Sequence, residues 1–286
     1  MEKYGIILAI IILQETTMKR LTIYFLFLFI TILLAGCGRQ AVALHKQGTY
    51  QYKNSTIELS KKVRTLDISV DSGKLQIFCW DKPEISCEIK HTVRDKKTDE
   101  QLQKLLNKFS VKSTVKDNIC YISVDYDGNI KNSNDIFSEV KLTIPRRINS
   151  IELVQEQGSL VVEDKFEGSI KAELEAASAE IKALYGSMSI HCENGNFRLN
   201  SGRLTRASEV KIEKGNIYVK AECEGKSTHS FETRTGNIEL TFPVTSAISL
   251  DTAGTISHNQ FTGSEGDIKV NASTKFGKLS INGYIN

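Results

Sequence analysis

Three heptapeptides in the C-terminal half of the chain have nearly the same sequence and recur at a fixed spacing. They are Glu193–Leu199, Glu213–Val219 and Arg234–Leu240, and each contains a Gly-Asn pair followed by an apolar residue. Their glycines lie 20 and 21 residues apart. A fixed period in this range is typical of architectures in which one short supersecondary unit is stacked many times. The chain must therefore fold in a way that keeps this register.

The same pattern extends from Ile151 to the C-terminus as apolar-x-apolar runs joined by short polar links that hold a glycine. Ser178 takes the glycine place once, and a second set of glycines falls roughly midway between the first. Each period thus contains two short strands and two turns, which predicts one coil of a β-solenoid. Coils stacked about 4.8 Å apart would bury every second side chain in a continuous apolar column. The glycine places are Gly158, Gly195, Gly215, Gly236, Gly254 and Gly277, and the midway glycines are Gly168, Gly186, Gly225 and Gly263.

The Gly-Asn pairs are expected to form corners of these coils rather than a binding motif. Glycine turns the chain without a Cβ penalty, and asparagine tolerates or hydrogen-bonds the turn. Phe197, Ile217 and Ile238 would then point into the core. An antiparallel meander folded into a sandwich is the alternative, but a sandwich needs no register of this kind. The predicted fold class is mainly β, with a repetitive β-solenoid, similar to a β-helix, over residues 148–286.

A small α+β unit is expected over residues 56–147, ahead of the coils. Alternating strands flank a turn at Asp71–Lys74, and further strands follow. A Thr-x-x-Gln capping box at Thr98 precedes apolar residues at helical spacing, which predicts one amphipathic helix. We expect this helix to cover Phe78 and Trp80. The predicted strands are Leu66–Val70, Leu75–Cys79, Ile85–Ile89, Val111–Val115, Ile119–Val124 and Val140–Ile144, and the helical apolar residues are Leu102, Leu105, Leu106 and Phe109.

Residues 1–36 have the features of a secretion signal. Met18-Lys19-Arg20 is a positively charged start, and it precedes an apolar run from Leu21 to Ala35 that is too short to span a bilayer comfortably. We expect translation to begin at Met18, because a further segment upstream of such a signal is unusual. Leu34-Ala35-Gly36-Cys37 resembles the lipobox of bacterial lipoproteins, in which the cysteine thiol receives a diacylglycerol. This resemblance implies lipid attachment at Cys37.

Such a lipid would hold the protein on the extracytoplasmic side of the cell membrane without a spanning helix. Residues 37–55 are polar and lack a clear period, which predicts a lipidated N-terminus followed by a tether. A tether of about 17 residues reaches at most about 60 Å when it is fully extended. The folded part would therefore stay near the bilayer or in the inner layers of the wall.

The charge balance excludes one class of partner. The 37 Lys and Arg residues nearly match the 34 Asp and Glu residues, for a formal net charge of +3. This balance offers no electrostatic footprint for nucleic acid. The hydrophobic fraction of 40%, with only three prolines, is typical of a folded chain.

No motif for metal, cofactor or nucleophilic chemistry stands out, and we expect neither a cofactor nor a metal. None of the histidines is at metal-ligand spacing from another, and His191 is expected to point from a strand into solvent. Asp125–Asn129 is rich in oxygen ligands, but its spacing differs from an EF-hand loop and a polar hairpin loop is the simpler interpretation. The five histidines are His45, His91, His191, His229 and His258.

Outward strand positions hold carboxylates such as Glu152, Glu213 and Glu239. A row of them could face a substrate, as in solenoid sugar lyases and hydrolases. Glycoside hydrolysis needs carboxylate pairs at defined separations, which the sequence does not provide. A solvated polar face is therefore the preferred interpretation.

Five cysteines remain if Cys37 carries lipid, and an odd number prevents complete internal pairing. Cys79 and Cys87 share an inward parity on neighbouring predicted strands, which makes them the candidate disulfide. The other three, Cys120, Cys192 and Cys223, are expected to be small buried hydrophobic residues.

The combination of a strand-and-helix unit, Gly-x-apolar coils and a lipobox resembles the bacterial putative-adhesin family known as domain of unknown function number 4097. The resemblance covers about Leu66 to the C-terminus. It implies an architecture rather than an activity, and no functional residue can be transferred from it.

These features predict a non-catalytic, adhesin-like surface interaction module. Its expected partners are the membrane, through the lipid anchor, and another envelope protein, a glycan or a wall polymer. An envelope-stress or regulatory component at the membrane is the first alternative, and a cell-wall or polysaccharide-active enzyme is the second. A localised site is expected on residues that break the repeat, at Ser201–Ala207 or Asp125–Asp135.

Overall fold

Strands make up most of the chain in the computed structural model, which describes residues 47–95, 97–128, 135–261 and 266–285. The protein is mainly β, as predicted, with one short helix, α1 (Asp99–Leu106), in these ranges. The strands belong to one large sheet of mixed parallel and antiparallel pairs. They are β1 Gln47–Ile57, β2 Thr65–Trp80, β3 Ile85–Asp95, β4 Phe109–Lys116, β5 Ile119–Tyr126, β6 Ile136–Pro145, β7 Ser150–Asn194, β8 Phe197–Leu199, β9 Gly202–Leu204, β10 Ser208–Lys214, β11 Ile217–Lys220, β12 Glu222–Cys223, β13 Thr228–Thr235, β14 Ile238–Pro243, β15 Ile248–Asn259 and β16 Ile268–Tyr284.

The three heptapeptides pair with one another in parallel register. Ile217 lies beside Phe197 on one side and beside Ile238 on the other. All three side chains are buried, with at most 2% of their surface exposed. The predicted inward positions are therefore confirmed, and residues about 20 apart in sequence become lateral neighbours.

The glycines of the heptapeptides stack into a column where the chain turns a corner. A Cβ atom on Gly215 would lie 1.7 Å from the carbonyl oxygen of Gly195, and the φ angle of Gly215 is 149°. Only glycine fits there, because both the space and the dihedral angle exclude a side chain. The residue stacked on Gly195 in the preceding coil is Ala177, not Ser178 as predicted. The glycine place is therefore one residue earlier than the sequence pattern indicated.

The asparagines that follow these glycines form a hydrogen-bonded ladder. The backbone N–H of Asn216 donates to the side-chain oxygen of Asn196 at 2.9 Å, and the N–H of Asn237 donates to that of Asn216 at 2.8 Å. The ladder begins at the Ser178 hydroxyl, which accepts from the N–H of Asn196, and it ends at the N–H of Lys278, which donates to Asn237. Ser178 thus occupies the asparagine place.

A second corner column contains two of the midway glycines. A Cβ atom on Gly186 would lie 1.9 Å from the carbonyl oxygen of Gly168, so these two residues stack directly. Gly225 has no atom within 4 Å of its Cβ position. Gly263 lies outside the described residues.

Strand β2 does not form the predicted hairpin at Asp71–Lys74. It continues unbroken through Gly73 and pairs in parallel with β7 along most of its length, with Gly73 beside Gly158. The strand therefore continues past Gly73 in parallel with β7, and the chain does not reverse its direction there. Strands β5 and β6 also pair in parallel with β2, so the parallel stack extends into the segment that was predicted to be a separate α+β unit.

Helix α1 begins with the predicted capping box. The Thr98 hydroxyl accepts from the backbone N–H of Gln101, and the Gln101 side chain accepts from the N–H of Thr98. The helix buries Leu102 and Leu106 in a small cluster with Val93, Phe109 and Tyr126. Two details of the prediction are wrong. Phe109 begins β4, and α1 packs on β1 and β3 rather than over Phe78 and Trp80.

The last two long strands do not follow chain order in space. Strand β16 pairs in parallel with β13 and β14 on one side and with β15 on the other. The C-terminal segment is therefore inserted between its predecessors, and β15 forms the outer strand. Most of its residues from Ala253 to His258 are exposed.

The tether prediction does not hold over residues 47–55, which belong to β1. This strand pairs antiparallel with β3 at an edge of the sheet, and nearly all of its side chains are exposed or half-buried. An edge strand held by backbone hydrogen bonds needs no apolar alternation, which is why the sequence showed no period. The predicted signal peptide, Met18, Cys37 and the rest of the tether lie outside the described residues. Within the described ranges, no helix combines the length and apolar character needed to cross a bilayer.

Candidate functional site

The parallel strands present several outward surfaces, and we call two of them the first and second faces. The first face carries the outward side chains of β10, β13 and the aligned parts of β7, before the glycine corner. The second face carries those of β8, β11 and β14, after the corner. A shallow groove of about 580 Å³ runs over the first face, and five of its eleven lining residues are carboxylates. They are Glu156, Glu173, Glu175, Glu193 and Glu213, with His191 and Lys211 among them.

His191 stands between two carboxylates in this groove. Its Nδ1 lies 3.4 Å from Glu173 Oε2, and its Nε2 lies 3.9 Å from Glu209 Oε2. Lys211 is its neighbour in the next strand. The side chain is 43% exposed, so the outward orientation was predicted correctly. Its carboxylate neighbours were not predicted, because they lie 18 residues away in either direction.

One carboxyl group in the groove has an altered acidity. Burial raises the pKa of Glu156 above its usual value, and the nearby charges of Asp71 and Glu175 raise it further. Glu156 is therefore more easily protonated than an isolated glutamate. A carboxyl group of this kind is suited to donate either a hydrogen bond or a proton.

The three carboxylates singled out from the sequence do not form one row. Glu152 and Glu213 lie on the first face, on different coils, whereas Glu239 lies on the second face. Glu152 is beside Asp67, whose pKa is raised by burial and by the Glu152 charge. Glu213 lies 3.8 Å from the guanidinium of Arg234.

A smaller pocket of about 120 Å³ opens beside the segment Ser201–Ala207, which was predicted to break the repeat but whose strand β9 stacks in register with β7 and β12. We call it the Tyr185 pocket. It combines two aromatic rings, two cations, one carboxylate and small polar groups, and its lining residues come from several coils. They are Tyr185, Ser201, Gly202, Arg203, Lys220, Glu222 and Tyr284.

The two cations of the Tyr185 pocket have different surroundings. Arg203 is held by two carboxylates, Glu222 at 3.1 Å and Glu224 at 3.3 Å. Lys220 Nζ lies 4.7 Å from the centre of the Tyr284 ring, and no carboxylate of the described residues is within 4 Å of it. Lys220 is therefore the cation of this pocket that is available to an anionic group.

The other predicted site, Asp125–Asp135, is only partly described, because residues 129–134 lie outside the described ranges. The Asp125 carboxylate accepts hydrogen bonds from the hydroxyls of Ser123 and Ser110, at 3.1 and 3.4 Å. Among the residues that the structure describes, no group of three or more His, Cys, Asp or Glu side chains is arranged to hold a metal ion.

The candidate disulfide between Cys79 and Cys87 is absent, and both residues are free thiols. Strand β6 lies between their strands, with Ile144 beside Cys79 and Leu142 beside Cys87. Two strand spacings amount to about 9.6 Å, which is beyond the Cα separation that a disulfide spans. Cys120, Cys192 and Cys223 are also free, and burial raises the pKa of the Cys223 thiol to about 12.

No protein-family model and no curated protein sequence matches the chain. Among solved structures, a putative adhesin from Bacteroides fragilis gives a TM-score of 0.43 at 12% identity and covers 81% of this chain and 97% of that protein. A putative adhesin from Parabacteroides merdae gives 0.39 at 13% identity, with 82% and 97% covered. A putative cell adhesion protein from Clostridium sporogenes gives 0.36 at 14% identity, with 82% and 100% covered. These likenesses are distant in both sequence and structure.

Proposed function

We propose that this chain is a lipid-anchored, extracytoplasmic β-solenoid that acts as a non-catalytic, adhesin-like surface interaction module. The observation that carries the proposal is the register of outward side chains. On the second face, Lys220, Thr241 and Asn282 stand beside one another on successive parallel strands. Polar groups repeated at a strand spacing of about 4.8 Å suit an extended polymer or protein segment better than a small substrate.

The anchoring part of the proposal depends on Cys37 and on its distance from β1. Nine residues lie between Cys37 and Gln47, where β1 begins. Such a segment reaches at most about 35 Å. A lipid on Cys37 would therefore keep β1 close to the bilayer. Replacing Cys37 by Ala should move the protein out of the membrane fraction, and retention of the variant in that fraction would contradict lipid anchoring.

The interaction part can be tested with the full-length protein and candidate ligands. Purified peptidoglycan, collagen and fibronectin are suitable probes. Thr241→Trp places a bulky side chain on the second face, and Ser230→Trp does the same on the first face as a matched control. We expect binding to at least one probe, weakened at least tenfold by Thr241→Trp alone. Absence of binding to every probe, or equal binding by both variants, would count against the proposal.

A second candidate function, a polysaccharide-active enzyme, is favoured by the raised pKa of Glu156 in a groove with several other carboxylates. Glycosidases pair a protonated carboxyl group with an ionised one. The test is release of reducing ends from cell-wall polysaccharide by the full-length protein. If this function is correct, Glu156→Gln should abolish the release, whereas Glu239→Gln on the second face should leave it unchanged.

A further inference from the structure

The Tyr185 pocket lies where the stack of β7, β9 and β12 meets the end of the second face at Lys220, and it combines two tyrosine rings with two cations. Tyr185 is 42% exposed, and its ring lies 4.7 Å from Lys165 Nζ and 5.7 Å from the Arg203 guanidinium carbon. Tyr284 contributes a second ring, whose centre lies 4.7 Å from Lys220 Nζ. Aromatic walls with convergent polar groups are typical of sites that hold small ligands.

We propose that the Tyr185 pocket binds one acidic sugar residue of a saccharide whose neighbouring residues lie on the second face. This proposal deepens the proposed surface interaction function by naming the ligand class, and it rests on that function. The pocket volume of about 120 Å³ is below the range of pockets that enclose a whole small-molecule ligand. It therefore suits a single ring or its charged substituent rather than a free cofactor.

The acidic character of the ligand follows from Lys220. Its ammonium group has an aromatic neighbour but no carboxylate partner among the described residues, whereas Arg203 is neutralised by Glu222 and Glu224. A carboxylate on the ligand would supply the missing partner for Lys220. Charge-assisted hydrogen bonds of this kind are about twice as strong as neutral ones.

The saccharide character follows from the groups around the cation. The Ser201 hydroxyl donates to the backbone oxygen of Lys182 at 3.0 Å, so its lone pairs are available to ligand hydroxyls. Thr241 and Asn282 continue from Lys220 along the second face and offer further donors and acceptors. A ligand rich in hydroxyl groups can use all of them. The nearly balanced charge of the chain argues against a nucleic acid as the anion.

The location of the pocket also supports a ligand site. It lies on the parallel stack that β9 forms with β7 and β12, and Arg203 of β9 is a lining residue. Residues of five strands, β7, β9, β11, β12 and β16, therefore converge on this one opening.

The test uses full-length protein, purified from membranes in detergent, with trigalacturonate as the probe and its methyl ester as the uncharged match. Calorimetric titration should give binding to trigalacturonate that is at least tenfold tighter than binding to the ester. Lys220→Met should weaken trigalacturonate binding at least tenfold, and Tyr284→Phe should weaken it less. Lys171→Met, which removes an exposed lysine from the first face, is the matched control and should bind like the wild type.

Several outcomes would overturn the proposal. They are no binding of trigalacturonate, equal binding of the ester, or equal loss of affinity in the Lys171→Met control. Thermal unfolding of each variant establishes that it is folded before its affinity is compared. A protein that binds collagen or peptidoglycan but not trigalacturonate would refute the ligand class while leaving the interaction function standing.

Discussion

The side-chain oxygen of Asn216 accepts a hydrogen bond from the backbone N–H of Asn237 at 2.8 Å, which joins one Gly-Asn corner to the next. In the same way, the side-chain oxygen of Asn196 accepts a hydrogen bond from the backbone N–H of Asn216. Each Gly-Asn pair therefore closes its own corner and fastens the following coil. The most conspicuous motif of the sequence is explained by stability, and function must be sought in residues outside it.

Replacing Asn216 by Ala should destabilise the protein by about 1 kcal/mol, because a typical intramolecular hydrogen bond contributes that much. The site is exposed, so water can partly replace the lost acceptor. Urea unfolding followed by circular dichroism gives the free energy of unfolding. Asn271→Ala, on an exposed strand position with no ladder contact, is the control and should change stability by less than about 0.5 kcal/mol. Equal losses of unfolding free energy in Asn216→Ala and Asn271→Ala would contradict a stabilising role for the asparagine ladder.

Two glycines with positive φ angles should respond very differently to alanine. A Cβ on Gly215 would lie 1.7 Å from the Gly195 carbonyl oxygen, whereas a Cβ on Gly225 would meet no atom within 4 Å. Gly225→Ala should cost about 1 kcal/mol, from the dihedral angle alone. Gly215→Ala should cost on the order of 4 kcal/mol or prevent folding, because the backbone must move. Similar urea midpoints for the two variants would show that the corner column is not tightly stacked.

Much of the fold could be predicted because its signals are local. Three predictions could be read from short sequence motifs. They are the 20-residue register, the inward positions of Phe197, Ile217 and Ile238, and the capping box at Thr98. Alternation along a strand and hydrogen bonding within a helix turn are both short-range effects. The sequence therefore contains enough information to specify them.

Three features could not be predicted, each for a physical reason. Asp-Ser-Gly-Lys at 71–74 suits a hairpin turn as well as a coil corner, and only the pairing of β2 with β7 distinguishes them. Strand β1 is held by backbone hydrogen bonds at an edge, so it carries no apolar pattern. Strands β15 and β16 have the same alternation whichever lies outside, so their spatial order is not encoded locally.

The candidate sites were predicted only in part for a related reason. The segment Ser201–Ala207 was singled out as a break in the repeat, and it supplies three lining residues of the Tyr185 pocket, although its strand β9 stacks in register with β7 and β12. Tyr185 and Tyr284, however, reach the same pocket from distant positions in the sequence, and no local pattern connects them. Likewise, Glu173 and Glu209 approach His191 only through the register of neighbouring strands. A shift of one residue in that register, such as the choice between Ala177 and Ser178, alters which groups meet.

The stability of the protein should fall in mild acid because of a buried histidine. His91 is fully buried, its Nδ1 lies 2.9 Å from the Ser138 hydroxyl, and its ring stacks on Phe109. Burial, with a smaller effect of Lys53, lowers the pKa of His91 from 6.5 to about 4. Between these values, the unfolded state binds a proton that the folded state does not, so stability is lost as the pH falls.

Replacing His91 by Gln should reduce the pH dependence of the free energy of unfolding by one proton between about pH 4 and pH 6.5. The measurement is urea unfolding at a series of pH values, in which the slope reports the difference in bound protons. Burial also lowers the pKa of His229 to about 4. Replacing both His91 and His229 by Gln should therefore decrease the slope of the unfolding free energy against pH once more. Asn271→Ala serves as the non-titrating control. An unchanged slope in His91→Gln would mean that this histidine is protonated in the folded state.

The inverted order of the last strands makes a prediction about cross-linking. Ser280 of β16 lies beside Glu239 of β14 on one side and beside His258 of β15 on the other. Neighbouring strands are about 4.8 Å apart, within the Cα separation of a disulfide, whereas Glu239 and His258 are two spacings, or about 9.6 Å, apart. Oxidation should therefore form a disulfide in the double variant that combines Glu239→Cys with Ser280→Cys. It should form none in the double variant that combines Glu239→Cys with His258→Cys. Peptide mapping by mass spectrometry identifies the bridge. If the strands instead followed chain order, β15 would lie beside β14 and the second pair would cross-link in place of the first.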